Sequence, residues 1–197
     1  MGLAIAAAAL SRKHIVRLIV GPIQVAPPAG LDRLIRVETS QEMCQAVVEN
    51  VGWCEALVMA AAVADWRPRQ TSFAKLKKHA GPVMLELQPT PDILATVRTM
   101  KGRKIFVGFA AETGDPVAEA RRKLVEKGLD LIVANDVTRS GAGFEVDTNQ
   151  VVLISASGVM RELPLMPKTE VAEHIMAWIE EAAQQTVLPE NVSGGAD

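Results

Sequence analysis

Short apolar segments alternate with helix-like segments along most of this 197-residue chain. Ile15–Val20 is rich in β-branched residues and stops at Gly21-Pro22, as a strand would. Ala56–Ala62 is apolar throughout, which is typical of a strand that is buried on both faces. Strands and helices that alternate in this way predict an α/β fold, in which helices cover both faces of a mostly parallel sheet.

Capping and turn signals predict the remaining elements. Thr39 and Glu42 have the spacing of a capping box, so a helix is expected from there to about Val51. Pro91 and Asp92 are residues that favour the first turn of a helix. We further predict strands over 34–37, 83–87, 105–110, 129–134, 151–155 and 159–163, the last two joined at Ser157-Gly158, and helices over 1–10, 90–100, 116–127 and 169–183.

Composition excludes several classes of protein. The formal net charge of −2 argues against a general nucleic-acid-binding protein, which usually has a large basic excess. Met1–Leu10 is apolar but too short to span a bilayer, and its basic neighbours follow it instead of preceding it as in a signal peptide. Cys44 and Cys54 lack a metal-binding spacing. They are expected to be reduced, part-buried thiols of a cytoplasmic protein with no membrane segment.

Polar residues follow three of the predicted strands at the point where each strand ends. They are Asp65, Glu112-Thr113 and Asn135-Asp136. A single acid in such a place can simply cap the next helix. Because the carboxyl ends of parallel strands meet at one edge of a sheet, three such groups indicate a shared ligand crevice.

The stretch from Met59 to Lys78 combines a strand that ends in small residues with a loop that carries lysines. Small residues allow a ligand to approach the backbone, and a basic loop can close over phosphates. Lys123 and Lys127 lie four residues apart on a predicted helix, so their ammonium groups share one face. The alternatives are a buried strand with a solvated loop, and a solvated helix face.

The common nucleotide and hydrolase motifs are absent from the sequence. It contains no G-x-x-x-x-G-K-[ST], no G-x-S-x-G, and no G-x-G-x-x-G between a strand and a helix. Any phosphate binding would therefore depend on lysines, with Lys75, Lys123 and Lys127 as the candidates, and on helix N-termini.

Several motifs occur together in the order and spacing of a known family. They are Ala60–Pro68 (AAAVADWRP), Lys75–Lys78 (KLKK), Pro91–Leu94 (PDIL), Val107–Thr113 (VGFAAET), Ala134–Val137 (ANDV), and Gly143-Phe144 followed by Asp147-x-Asn149. With these motifs, residues 1–184 resemble phosphopantothenoylcysteine synthetase (phosphopantothenate–cysteine ligase), the C-terminal ligase domain of the bifunctional bacterial coenzyme A biosynthesis protein. The resemblance implies a Rossmann-like fold and a homodimer, for which Gly143–Leu163 is a candidate β-hairpin arm or else a surface hairpin. Residues 185–197 are expected to form a flexible tail.

The family's reaction is what the resemblance implies for activity. Its bacterial members join 4′-phosphopantothenate to L-cysteine, using CTP with Mg²⁺ to form an acyl-cytidylate that the cysteine amine then attacks. FMN is implied only if a phosphopantothenoylcysteine decarboxylase domain is fused or associated upstream. The alternatives are a catalytically inactive nucleotide-binding fragment and an NAD(P) oxidoreductase on a similar sheet.

The resemblance also implies a site. Lys75 is the expected catalytic residue, on a mobile flap that reaches the phosphates. Phe109 would flank the cytidine, Asn135 is a candidate substrate contact, and no metal-ligating residue is implied. The expected CTP-binding positions are Met59, Ala60, Ala61, Asp65, Lys75, Pro91, Asp92, Ile93, Leu94, Phe109, Lys123 and Lys127.

The sequence departs from the family at its amino end. Family members carry a first strand and a Gly-rich loop with an asparagine used in the acyl-cytidylate step, and Met1-Gly2-Leu3 matches the end of that segment. A truncated domain is therefore expected, with uncertain activity.

Overall fold

A computed structural model describes residues 1–70, 74–75, 77, 82–112, 116–136 and 146–187. The helices are α1 (Gly2–Ser11), α2 (Ser40–Val51), α3 (Ile93–Val97, continued by a 3₁₀ turn over Arg98–Met100), α4 (Pro116–Lys127) and α5 (Lys168–Val187). The strands are β1 (Arg17–Val20), β2 (Arg33–Arg36), β3 (Ala56–Met59), β4 (Trp66–Pro68), β5 (Leu87–Pro89), β6 (Ile105–Glu112), β7 (Leu131–Asp136), β8 (Thr148–Ser155) and β9 (Met160–Pro167).

The main sheet has five strands in the order β3-β6-β7-β8-β9. β3, β6 and β7 are parallel, and β8 and β9 add an antiparallel hairpin to the edge at β7. β1 and β2 form a separate parallel pair, and β4 and β5 form a short antiparallel pair. The mostly parallel α/β architecture is therefore confirmed. The predicted hairpin extends the main sheet, and its role in a dimer stays a prediction.

Two hydrophobic clusters cover the two faces of the main sheet. On one face, Phe106 and Ile132 pack beneath α2, α3 and α4. On the other face, Val107 and Val133 pack beneath α1 and α5. Neighbouring residues in β6 thus point to opposite clusters, as the alternation of side chains along a strand requires.

Local signals located several elements well. Thr39 Oγ1 accepts from the Glu42 backbone N–H while the Glu42 carboxylate accepts from the Thr39 N–H, so the capping box is confirmed. The strand predicted over 83–87 is wrong in position, because β5 begins at Leu87 and pairs with β4. β4 lies nearly twenty residues upstream, so the sequence around 83–87 alone does not specify which residues of β5 pair with β4.

A groove separates the β1–β2 pair from the main sheet. Within the described part of the chain, β1 pairs with β2 alone and β3 pairs with β6 alone. The groove between β1 and β3 has a volume of about 1110 Å³ and is lined by both strands and by α1, α2 and α5. The four residues of β3 are consequently half-buried. The prediction that Ala56–Ala62 is a strand buried on both faces is wrong in this respect, and β3 ends at Met59.

Candidate functional site

The loop that follows β3 is tied to the segment that precedes α3. The Thr90 backbone N–H donates to the Asp65 carbonyl at 2.9 Å, and Thr90 Oγ1 donates to the Ala64 carbonyl at 2.5 Å. The β4–β5 pairing places Trp66 opposite Pro89. Two segments that the sequence analysis assigned to one site, around Asp65 and from Pro91 onward, are therefore adjacent in space.

Asp92 links that corner to α4. Its Oδ1 accepts from the Ala95 backbone N–H at 3.0 Å, which caps α3, and its Oδ2 accepts from Lys127 Nζ. Burial by itself raises the pKa of the Asp92 carboxyl. The hydrogen bonds from Lys127 and Ala95, together with the charge of Lys127, outweigh burial and hold that pKa below its ordinary value.

The two lysines of α4 differ in their partners. Lys127 is paired with Asp92, whereas Lys123 Nζ lies 4.0 Å from a carboxylate oxygen of Glu119, one turn earlier on the same helix. The hydrogen bond from Arg122 is the main reason that the pKa of Glu119 is lowered. Both lysine side chains are about one-third exposed or less, so their stems are packed and their ammonium groups are confined.

The other predicted residues at the start of α3 mainly pack against the core. Ile93 is buried in the cluster beneath α2, α3 and α4, and Leu94 packs against the same cluster while half-buried. Pro91 is half-buried at the end of the segment that Thr90 fixes. These contacts hold the start of α3 firmly against the sheet.

Phe109 and Asn135 lie on the opposite face of the sheet from α4. Phe109 pairs with Val133, and Asn135 follows two residues later on β7, so their side chains share the face of Val133. Phe109 is half-buried and packs against the cluster beneath α1 and α5. A ligand that contacts both the Phe109 ring and Lys127 would have to reach around the carboxyl edge of the sheet.

The other predicted positions lie at the edge of the groove or on the surface. Met59, Ala60 and Ala61 line the groove, and Met59 also packs against the cluster beneath α2. A Cβ on Gly2 would stand 3.6 Å from the Ala60 Cβ, so α1 begins beside the end of β3. Lys75 is exposed. The side chains of Glu112 and Asp136, and Thr113, Val137, Lys78 and Gly143-Phe144, lie outside the described residues.

A second cavity, of about 410 Å³, was missed by the sequence analysis. It is lined by the residues that follow β1, β2 and β3, which include Gly21, Thr39 and Ala61, and by Trp66, Arg67 and Thr90. Cavities at the carboxyl ends of parallel strands are the usual ligand sites of open α/β sheets, and this volume suits a small molecule. Part of the signal was available, because Gly21 directly follows one predicted strand and Thr39 comes two residues after another.

The fold and these edges define the class: an α/β domain with a mostly parallel sheet and a cavity beyond the carboxyl ends of its strands, where such folds usually bind ligands. Residues 1–183 match the model of the DNA/pantothenate metabolism flavoprotein C-terminal domain family. The chain therefore belongs to this family.

Relatives of known name agree with this assignment. The chain is 43% identical over 94% of its length to the coenzyme A biosynthesis bifunctional protein CoaBC of Bacillus subtilis, and 39% identical over 92% of its length to the CoaBC of Vibrio cholerae. It is also 39% identical over 89% of its length to a cysteine/cysteine sulfinic acid decarboxylase from an unknown prokaryote. The chain spans about half the length of these relatives, or 46%, 46% and 49% of them respectively.

Solved structures match the fold. The crystal structure of the C-terminal domain of CoaBC superposes with a TM-score of 0.78 at 34% identity, covering 93% of this chain and 82% of that domain. A DNA/pantothenate metabolism flavoprotein from Streptococcus pneumoniae superposes with a TM-score of 0.75 at 21% identity, covering 92% of this chain and 86% of that one, which supports the fold alone.

In the parts of the chain that the structure describes, the helices are too short or too polar to cross a membrane.

Proposed function

We propose that this chain is the phosphopantothenate–cysteine ligase part of a coenzyme A biosynthesis protein. It would join 4′-phosphopantothenate to L-cysteine through an acyl-cytidylate made from CTP. The family membership and the high-coverage similarity to two CoaBC proteins support the pathway. The observation that carries the proposal is the corner where the Asp65 loop, Asp92 and Lys127 meet through hydrogen bonds.

The proposed two-step reaction requires cations near the phosphates and a site that is closed to water. The pantothenate carboxylate attacks the α-phosphorus of CTP, and pyrophosphate leaves. The cysteine amine then attacks the acyl carbon, and CMP leaves. Negative charge develops on the pyrophosphate, so preorganised ammonium groups stabilise the transition state of the first step. Lys123 and Lys127 have confined ammonium groups, and Lys75 is exposed. In this proposal Lys75 reaches the phosphates and water is excluded from the intermediate.

Mg²⁺ would enter with the triphosphate. The described residues include no group of three or more His, Cys, Asp or Glu side chains placed to hold a metal ion. Beside nucleotides, Mg²⁺ is usually held largely by phosphate oxygens and water. When bound, the ion would supply neutralisation of the triphosphate charge.

The test is CTP binding by calorimetry, together with pyrophosphate release in the presence of 4′-phosphopantothenate and cysteine. We expect CTP with Mg²⁺ to bind more tightly than ATP with Mg²⁺, and pyrophosphate release to require the pantothenate substrate. The Lys75→Gln variant should lose pyrophosphate release by about 10²–10³-fold without a change in unfolding midpoint. Normal release by that variant would exclude Lys75 from the mechanism.

A second candidate, a nucleotide-binding domain without turnover, is favoured by one observation. The predicted contacts are divided between the two faces of the sheet, since Phe109 packs beneath α1 and α5 while α4, which carries Lys123 and Lys127, covers the other face. CTP binding without pyrophosphate release would support this candidate. Binding of NADH instead of CTP would support an oxidoreductase. The bifunctional naming of the CoaBC relatives supports a second domain fused to this one. A decarboxylase activity with FMN in that domain, a homodimer and a cytoplasmic location are further parts of the proposal.

A further inference from the structure

In the proposed CTP site, the carboxylate of Asp92 accepts a hydrogen bond from Lys127, one of the lysines expected to bind phosphate. Asp92 carries out two tasks with its two oxygens: Oδ1 caps α3 and Oδ2 holds the Lys127 ammonium. Because the bond to Ala95 fixes the carboxylate relative to the helix, Asp92 is an acceptor of defined position.

The end of α4 offers Lys127 few alternatives. Its C-terminal carbonyls already accept from other cations, since Arg98 donates to the Glu126 carbonyl at 3.0 Å and Lys101 donates to the Gly128 carbonyl at 2.8 Å. The Glu126 carboxylate is engaged by Arg122. Among the described contacts, Asp92 is the acceptor that remains for Lys127.

Neighbouring carboxylates on this side are also engaged. Asp130 accepts from Lys101 Nζ and from the Phe106 backbone N–H. The Lys127 side chain is 26% exposed, whereas Asp92 is 47% exposed. A pair that is half-open to water is weak, so a highly charged ligand can take the ammonium from it at little cost.

We propose that Asp92 is a positioning residue, which holds the Lys127 ammonium between α3 and α4 and delivers it to the phosphates of the bound nucleotide. A free lysine loses side-chain entropy when it binds phosphate, and a lysine that is already held loses less. This inference rests on the proposed CTP site and adds a role that a pure capping residue does not have.

The test is a double-mutant cycle on CTP affinity, measured by calorimetry with Mg²⁺ present. Asp92→Asn keeps a side-chain oxygen that can cap α3 but removes the charge that holds Lys127. We expect its Kd for CTP to rise about three- to tenfold, with only a small decrease in the unfolding midpoint at pH 7. Lys127→Met should raise Kd about tenfold or more, and adding Asp92→Asn to it should change Kd no further.

Glu126→Gln is the matched control. It removes one negative charge from the same end of α4, and the partner of that carboxylate is Arg122 rather than Lys127. We expect it to leave the Kd for CTP within about twofold of the wild-type value.

Each other outcome overturns the inference. Tighter CTP binding by Asp92→Asn would mean that Asp92 competes with phosphate for Lys127. If Asp92→Asn weakens CTP binding by the same factor in the wild type and in Lys127→Met, Asp92 acts only as a helix cap. If the wild-type chain binds no CTP, the proposed site fails and the positioning role fails with it. If the wild type binds CTP and the effects of the two substitutions on Kd are additive, the positioning role is wrong while the proposed CTP site stands.

Discussion

Two regions of this molecule contain the same kind of strand and bury it to different extents. In the packed half, formed by β6 and β7 with the helices that cover them, Phe106, Val107 and Val133 are fully buried. In the groove half, formed by β1, β2 and β3, all four residues of β3 and three of the four residues of β1 are half-buried.

The difference lies in the neighbours of each strand. β6 and β7 are hydrogen-bonded on both sides, whereas β1 and β3 are each bonded on one side and face the groove on the other. An apolar parallel strand is buried by strands beside it as well as by helices above and below it. An apolar run in the sequence therefore predicts that a strand can be buried, but it does not determine how much of the strand is buried.

The largest expected difference between the halves is in hydrogen exchange. Amides of β6 and β7 should exchange only when the whole domain unfolds, because both edges of these strands are paired. Amides of β1 and β3 that face the groove should exchange at least about a hundredfold faster. NMR-detected exchange at pH 7 measures this, and the β3 amides that bond to β6 serve as the internal control. Equal exchange rates for the groove-facing amides and for the amides of β6 and β7 would contradict this expectation.

A pair of valines allows the same comparison by mutation. Val58 and Val107 are register partners on β3 and β6, and both belong to the face beneath α1 and α5. Val107→Ala should cost about 2–3 kcal/mol of unfolding free energy, because Val107 is fully buried. Val58→Ala should cost about 1 kcal/mol, because its site is partly open already.

Urea titrations of both valine variants would give the two costs, provided that the denaturant slopes agree. A larger loss at Val58 than at Val107 would show that β3 is packed as tightly as β6.

Substitution of two glycines by alanine should show a smaller difference in stability between the two halves. A Cβ on Gly108 would stand 2.6 Å from Leu129 Cδ1, and Leu129 is itself buried. Gly108→Ala should therefore destabilise the domain by about 1–3 kcal/mol. Gly2→Ala meets the Ala60 Cβ at an ordinary 3.6 Å and should change stability by less than about 0.5 kcal/mol. Thermal unfolding of the two variants measures both effects, and similar shifts would refute the contrast.

The smallest expected effect concerns the ion pair on the surface of the packed half. Against the effect of burial, the pKa of Asp92 is held below its ordinary value, chiefly by the hydrogen bond from Lys127. The stability that Asp92 contributes is therefore present above about pH 4 and is lost as the pH falls through the lower pKa of the folded state. Because Asp92 is half-exposed, we expect less than about 1 kcal/mol.

Urea midpoints of the wild type and of Asp92→Asn at pH 7 and at pH 3 would test this. The wild type should be the more stable at pH 7, and the gap should shrink at pH 3. A gap that is the same at both values would mean that the carboxylate charge does not contribute.

Sequence reasoning worked best where the signal and its structural partner lie close together in the chain. The capping box at Thr39, the start of α3 at Asp92 and the bounds of α4 all depend on hydrogen bonds or helical spacing within a few residues. The turn at Ser157-Gly158 is of the same kind, and Gly158 has a positive φ of 88° there.

The contacts around the candidate site were predicted less completely than these local elements. The motifs indicated the loop at Asp65, the start of α3 and the lysines of α4, but not the bonds that join them. Thr90 and the Asp65 loop are about twenty-five residues apart, and Asp92 and Lys127 are 35 residues apart. The cavity bounded by Gly21, Thr39 and Arg67 joins four separate segments.

The sequence by itself determined that apolar strands alternate with amphipathic helices, and about where several of those helices begin. These properties are local, because caps, turns and side-chain periodicity act within a few residues. Glu112, Asn135 and Asp136 were expected to follow the strands and instead lie within the ends of β6 and β7. The tertiary structure alone decided which strands are neighbours, that β1 and β3 face a groove, and that Asp92 holds Lys127 while Phe109 faces the other side of the sheet. The physical reason is that strand pairing and ion pairs join residues far apart in the chain, and their geometry exists only once the chain has folded.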